Sequence, residues 1–530
     1  MTTPFDLSTE PWIAVVRLDG TRGDVSLRDV LLQAHEIRRI VGETPPMTAA
    51  LYRLVLALLH RVCGPARRDD WRDLWSTKAF DDAPLVRYLE AHGHEFDLFH
   101  PEVPFLQCAA LPEEKAGTVA KLIPHKSVGN NATLFDHTVV SDRVELSPAA
   151  AARWLVTAQA FDPGGMKTPY EKVKSSKRAP CSSLGVVLVE GQTLKETLLL
   201  NAVSYDLEAE KPPNTTPEDA PAWEQEAPIP APGSRPFLGW TDLLTWPSRR
   251  VRLLPESVSG EQVVAHAVMT PGVRLEGNPL DQEIMTAFRT PRAANGKIKP
   301  GTKMLPIRLY PVRGVWRHSV ELLLHDPWEE ERTRQRPRAL KQIASLTEAG
   351  HIPDDTVYTL RVFGQKLDKN ASVVEVYLEE EVPAPVALIR ATDDALAGLI
   401  GTAIELADEA GAALRGMQRE YHKDMRARPD VTLDLAYWPA LSRPFEVFLR
   451  AVSTARLQAT SERNAVTAWR RAVLRVAEDA AETWAAGVAA SDRNLSMLGK
   501  QHAVFRNRLS KIARVFDARA AKYLTKDETE

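Results

Sequence analysis

The sequence predicts an α+β protein: a large N-terminal mixed α/β domain with long loops over residues 1–385, then a C-terminal four-helix bundle over 386–530. Three observations lead there. A chain of 530 residues is too long for one core. From about residue 100 to 380, Pro, Gly and short β-branched runs alternate with brief helical stretches. After EEEVPAP (379–385) the texture becomes alanine-rich with helical periodicity, and no proline follows Pro444.

In chain order, WIAVVRL (12–18) reads as a strand ended by the turn pair Asp19-Gly20. Residues 25–41 read as one amphipathic helix, with Leu27, Val30, Leu31, Ala34 and Ile37 on a face. A second helix is expected from about Thr48 to Val62, after Pro45-Pro46. Residues 212–236 hold eight of the 38 prolines beside several acids, which suits a loop and not a core. In the C-terminal part Leu396, Leu399, Ala403, Ala407, Ala410, Leu414 and Met417 form one stripe. Helical segments near 443–458, 462–488 and 493–524 complete an antiparallel bundle.

Composition narrows the function classes. The 44% hydrophobic and 26% charged fractions are those of an ordinary globular protein. Cys63, Cys108 and Cys181 are far apart, which excludes a disulfide scaffold and a cysteine-rich zinc site and fits a reducing cytoplasm. The N-terminus MTTPFDLSTEPW lacks the basic and apolar regions of a signal peptide. The longest apolar run, LYRLVLALLHRV, is interrupted by Arg53 and His60, so no membrane partner is expected.

The stretch AFDPGGMKTPYEKVKSSKRAP (160–180) comes near a phosphate-binding loop and fails. Met166 separates Gly165 from Lys167, Ala160 stands where the first glycine belongs, and the preceding AARWLVTAQAF reads as helix. HGHEFDLFH (92–100) offers His92, His94 and Asp97, but the spacing misses that of binuclear metal hydrolases, and solvated loop histidines are the commoner case. No nucleophile elbow, zinc-helix or paired-cysteine motif occurs, so no catalytic residue, metal or cofactor is expected.

Basic tracts stand out instead. Arg289, Arg292, Lys297, Lys299, Lys303, Arg308, Arg313 and Arg317 lie in a segment without an acid. Eight cations between Arg493 and Lys522 face only Asp517, and Lys500, Lys511 and Lys522 recur every eleven residues. With Lys167, Lys172, Lys174, Lys177 and Arg178, these make three segregated tracts in a chain of net charge −3, a pattern suited to phosphate backbones.

The opening run FDLSTEPWIAVVRLDG, followed by VSLRDVLLQAHEIRRI, resembles the large subunit of the type I-E CRISPR surveillance complex Cascade, the CasA family. PFLQ (104–107), GNNATLFDH (129–137), the glycine stretch and DKNAS (368–372) match in order, so the resemblance spans essentially the whole chain. It implies a non-catalytic subunit that reads the protospacer-adjacent motif (PAM) of double-stranded DNA, helps open the duplex and starts the R-loop. Implied partners are the other Cascade subunits, the crRNA 5′ handle and a recruited helicase–nuclease that docks on it.

The family reads the PAM from the minor groove with a glycine loop, a lysine finger and a glutamine wedge. Gly164 and Gly165 fill the glycine position, and Lys167, Lys172, Lys174, Lys177 and Arg178 would grip phosphates. The wedge position holds Asn370, one methylene shorter than glutamine, between Lys369 and Ala371, with Gln365 as a second candidate. Arg274, in TPGVRL, is nearest by order to the finger. Asn130, Asn131 and Phe135 fall in a family loop directed at the neighbouring subunit and the crRNA end. Two rival readings are a metal-dependent nucleic-acid hydrolase built on His92 and His94, and a helical scaffold without nucleic-acid contact.

Overall fold

The computed structural model describes residues 3–126, 143–204, 218–277, 283–291, 298–299, 301–326, 333–425, 431–488 and 492–524. The first strand, β1 (Ile13–Arg17), is flanked by β2 (Arg22–Val25) and β3 (Ile37–Ile40), both antiparallel to it. The expected single helix over 25–41 is therefore corrected: only α1 (Leu27–Leu32) is helical. Ile37 and Ile40 satisfy a helical i, i+3 spacing, yet they are the buried ends of a strand in which Ile40 opposes Val15. The intervening Arg38 and Arg39 reach Glu190 at 3.4 and 3.3 Å.

Helix α2 (Pro45–Cys63) starts three residues before the expected point, because Thr44 caps the Met47 amide and both prolines sit in the first turn, where no N–H is missed. Every residue from Pro46 to His60 is buried, so the helix is the centre of the N-terminal core. Arg53 stays charged there because Glu283 accepts from it at 2.9 Å and the Leu243 carbonyl at 3.1 Å.

Around this centre lie helix α3 (Pro148–Phe161), the hairpin β4 (Gly165–Tyr170) with β5 (Val173–Ser176), and the fully buried strand β6 (Val186–Glu190). Strands β7 (Arg249–Val258) and β8 (Glu261–Pro271) pair antiparallel, and β9 (Val273–Leu275) runs parallel to residues 233–235. The long hairpin β10 (Val357–Leu367) and β11 (Val374–Pro385) adds to β6 through β10.

Beyond Pro385 the chain is helical: α4 (Asp394–Met425), α5 (Thr432–Leu457), α6 (Arg463–Val488) and α7 (Asp492–Ala520). Helix α4 lies along α7, and α5 along α6. Helix α5 begins well before the expected 443 and runs through Pro439 and Pro444. Pro439 is exposed and Pro444 half-buried, so carbonyls freed by the missing N–H groups face the wetter side. The whole predicted stripe of α4, from Leu396 to Met417, is buried.

An aromatic side chain from the N-terminal part enters this helical core. Trp316, on the short turn Val315–His318, meets Phe445 at 4.6 Å and Trp469 at 5.9 Å between ring centroids. Arg317 pairs with Asp408 of α4 at 2.6 Å. Glu380 of β11 holds the turn by accepting from the Val315 amide at 2.5 Å. Among the described residues, no single helix is long and apolar enough to cross a membrane.

Burial raises the Glu380 carboxyl from its ordinary 4.5 to about 7, against the opposing pull of the Val315 amide. A carboxyl raised on folding contributes stability that is present below pH 4.5 and lost as pH rises through about 7. Glu380→Gln keeps an acceptor for Val315 and removes the charge. It is expected to raise stability at pH 8 by up to about 3 kcal/mol, with the gain vanishing towards pH 4.5, as read by denaturant unfolding at both pH values.

Candidate nucleic-acid interface

The glycine stretch is anchored at the end of α3. Asp162 caps that helix through its amide, and Pro163 prevents continuation. Its carboxylate, itself buried, accepts from Arg249 Nε at 2.6 Å and from Lys167 Nζ at 2.6 Å. The buried Arg249 guanidinium also donates to the carbonyls of Asp162, Pro163 and Lys177 at 3.3, 3.2 and 2.9 Å. One side chain of β7 thus fastens both ends of the 162–177 segment. Gln159 fixes Arg249 in turn, accepting from its amide at 2.9 Å and donating to its carbonyl at 3.0 Å.

Between these clamps Gly165 adopts φ +109°, a conformation that side chains disfavour. A Cβ there would lie 3.2 Å from the Ser372 Cβ, so the glycine pair and the tip of the long hairpin touch. At Gly164 a Cβ would stand 3.3 Å from the Ser176 carbonyl oxygen.

Asp368 builds that tip. Its carboxylate accepts from the amides of Asn370, Ser372 and Val373 at 3.2, 2.7 and 2.9 Å. Slight burial pushes this carboxyl up, but the amide bonds outweigh it and hold it below its ordinary value. Ala371 takes φ +56°, which closes the turn and leaves Lys369 and Asn370 exposed at the apex. Gln365 is spent internally, its Nε2 donating to the carbonyls of Phe161 and Ser182 at 2.7 and 3.1 Å. Of the two wedge candidates, Asn370 alone faces outward.

The cations divide around the β4–β5 hairpin. On one flank a cleft of about 800 Å³ brings Lys177 and Arg178 together with Arg274, whose guanidinium is 4.0 Å from Glu276. Lys172 and Lys174 are exposed on the hairpin itself. Lys167 differs from these five, since its ammonium is turned onto Asp162 and only 13% exposed. On the other flank a pocket of about 460 Å³ gathers Lys115, Lys121, Lys126 and Lys167 beside Met166 and Ser372, with Asp162 the one carboxylate in its lining. Lys121 donates to Thr168 Oγ1 at 3.3 Å and Lys115 to the Pro169 carbonyl at 3.4 Å. Sequence reading missed both, because nothing near 115–121 resembles a basic tract.

The metal reading gains nothing from the fold. Asp97 accepts from the Phe5 and Phe99 amides, and His92 Nδ1 pairs with Glu95 at 2.6 Å. Among the described residues no three His, Cys, Asp or Glu converge on a metal position. Asn130, Asn131 and Phe135 lie outside the described residues.

Residues 6–480 match the family model for CRISPR-associated protein Cse1. The chain belongs to the Cse1 family. CRISPR-associated protein CasA/Cse1 of Thermus thermophilus is 34% identical over 480 residues, covering 84% of this chain and 87% of that protein. The crystal structure of Thermobifida fusca Cse1 has a TM-score of 0.79 at 30% identity, over 96% of this chain and 98% of the other. A chain from a solved CRISPR RNA-guided surveillance complex shares the fold, with a TM-score of 0.71 at 21% identity over 95% of this chain and all of its own. As a Cse1 family member the chain is a large subunit of type I-E Cascade.

The clamp gives this Cse1 chain a specific vulnerability. Arg249→Met leaves the buried Asp162 carboxylate with Lys167 as its remaining ion-pair partner among the described residues and frees both ends of the glycine segment. The expected loss is about 3–5 kcal/mol in denaturant unfolding, and pairing it with Asp162→Leu should recover part of that loss.

Proposed function

We propose that this Cse1 family member is the non-catalytic subunit that reads the PAM of double-stranded target DNA and begins its unwinding. The observation that carries the reading is the contact between Gly165 and Ser372, which sets a side-chain-free segment against an exposed hairpin apex. A glycine segment lets backbone approach the floor of the minor groove, where A·T and G·C differ mainly by one donor, so tolerance of several PAMs follows. Asn370, flanked by Lys369 and Ala371, is the wedge that parts the first base pair, at an unstacking cost of a few kcal/mol.

Lys177, Arg178, Lys172 and Lys174 hold the backbone phosphates, and Arg274 serves as the finger from across the cleft. Lys115 and Lys121 extend the positive surface to the other flank. Base pairing with the guide then supplies sequence specificity and extends the R-loop. In this reading Asn130, Asn131 and Phe135 face the neighbouring subunit and the crRNA 5′ handle, and the subunit offers the docking platform for the helicase–nuclease. The change from hairpin to helix at Pro385 supports two units, 1–385 and 386–530. The three free cysteines, two of them buried, suit a reducing cytoplasm.

The test is PAM-dependent duplex binding by the assembled complex. Leaving out this subunit should abolish discrimination between PAM and non-PAM duplexes; intact discrimination would sink the proposal. Asn370→Ala should slow opening of a duplex target by about tenfold or more, a loss of about 1.4 kcal/mol, while binding to a target already unpaired at the first position changes little. Neutralising Lys177 and Arg178 together should flatten the plot of log affinity against log salt by about 0.9 per lost phosphate contact, equally for all PAMs. A loss confined to one PAM would assign these residues to base reading instead.

A further inference from the structure

Next to the cleft, and sharing Val273 and Arg249 with its lining, lies a second cavity of about 110 Å³. Three arginines line it, and two are neutralised: Arg249 by Asp162, and Arg235 by Asp242, which accepts from both of its terminal nitrogens at 2.6 and 2.9 Å. The third, Arg250, is 8% exposed. Its Nε donates to the Ile229 carbonyl at 2.9 Å, and among the described residues no carboxylate comes within 4.0 Å of it. Glu226 also lines the cavity but is exposed and makes no ion pair with Arg250.

A guanidinium does not escape burial by losing its proton, so a buried one without a counter-charge is strongly unfavourable. Here burial and the neighbouring Arg235 both weaken the hold on its proton, with only the nearby Cys108 opposing. The terminal fork of Arg250 has the planar geometry that grips two oxygens of a tetrahedral anion. A space of about 110 Å³ has room for a tetrahedral oxyanion with its bound water.

We propose that this cavity is a binding site for a small inorganic oxyanion of the phosphate or sulfate class, held by Arg250 with Arg235 as its neighbour. The site adjoins the anchor of the glycine segment through Arg249, but its ligand-holding residue is Arg250 and it does not depend on PAM reading. Its ligand is the free ion; a nucleic-acid phosphate offers the same chemistry, and displacement by an oligonucleotide distinguishes the two.

The test is thermal unfolding of the full chain in increasing sodium phosphate, with ionic strength held constant by sodium chloride, alongside calorimetric titration with phosphate. The expected result is a saturable rise in unfolding temperature of about 2 °C and a measurable heat of binding, both lost in Arg250→Gln. Arg250→Lys, which keeps the charge and a folded chain, should weaken phosphate at least about tenfold by removing the fork. Identical phosphate responses in wild type and Arg250→Lys, or no saturable response in wild type, would overturn the proposal. Displacement of bound phosphate by a short single-stranded oligonucleotide would also overturn it, by making the ligand a nucleic-acid backbone.

Discussion

The candidate interface depends on one buried ion pair. Asp162 and Arg249 stand 87 positions apart in sequence and meet at 2.6 Å beneath the glycine segment. A buried pair of this kind is not favourable by Coulomb attraction alone, because both ions leave water. What offsets the desolvation is the remaining hydrogen bonding: four backbone carbonyls, of Asp162, Pro163, Lys177 and Ser248, and Lys167 satisfy what the pair itself leaves over. The same bonds determine where residues 162–177 enter and leave. Everything displayed above them, the bare glycines included, inherits its position from that node.

Charge arrangement is the second organising constraint. A net charge of −3 conceals strong segregation, with carboxylates used inside as clamps and cations left at the rim. Asp162, Asp242, Asp368 and Glu283 all bond to groups of the protein itself. Lys172, Lys174, Lys177 and Arg178 are exposed around the hairpin. This separation lets a near-neutral protein present a locally positive face, where field strength depends on neighbours within about 8–10 Å and not on the total.

Much of the fold was legible in the sequence, and the exceptions have physical causes. The stripe from Leu396 to Met417 announced its helix because a buried helix face repeats at a period nothing else imitates. Ile37 and Ile40 misled because two apolar residues three apart serve a helix face or the two ends of a short strand equally well. Pro439 and Pro444 hid the first turns of their helix, since a proline's cost is small where water can reach the freed carbonyl. At the site, the glycine pair and the turn residues Asp368 to Ser372 were visible in the sequence. Arg249, Lys115 and Lys121 were not, because their importance lies in contacts across long sequence separations. Gln365 and Asn370 could be told apart only in three dimensions, where one fills an internal bond and the other faces out.

The bond from Gln365 to the Phe161 carbonyl spans 204 residues, and the Arg249 clamp spans 87. Such closures are entropically costly and follow local structure in time. The β10–β11 hairpin pairs within neighbouring sequence, whereas the glycine segment is held by two distant stretches, Arg249 and the tip of that hairpin. A nascent chain halted anywhere before residue 365 would therefore own the glycines without the surface that presents them. The surface that presents the glycines exists only once both of those stretches are in place.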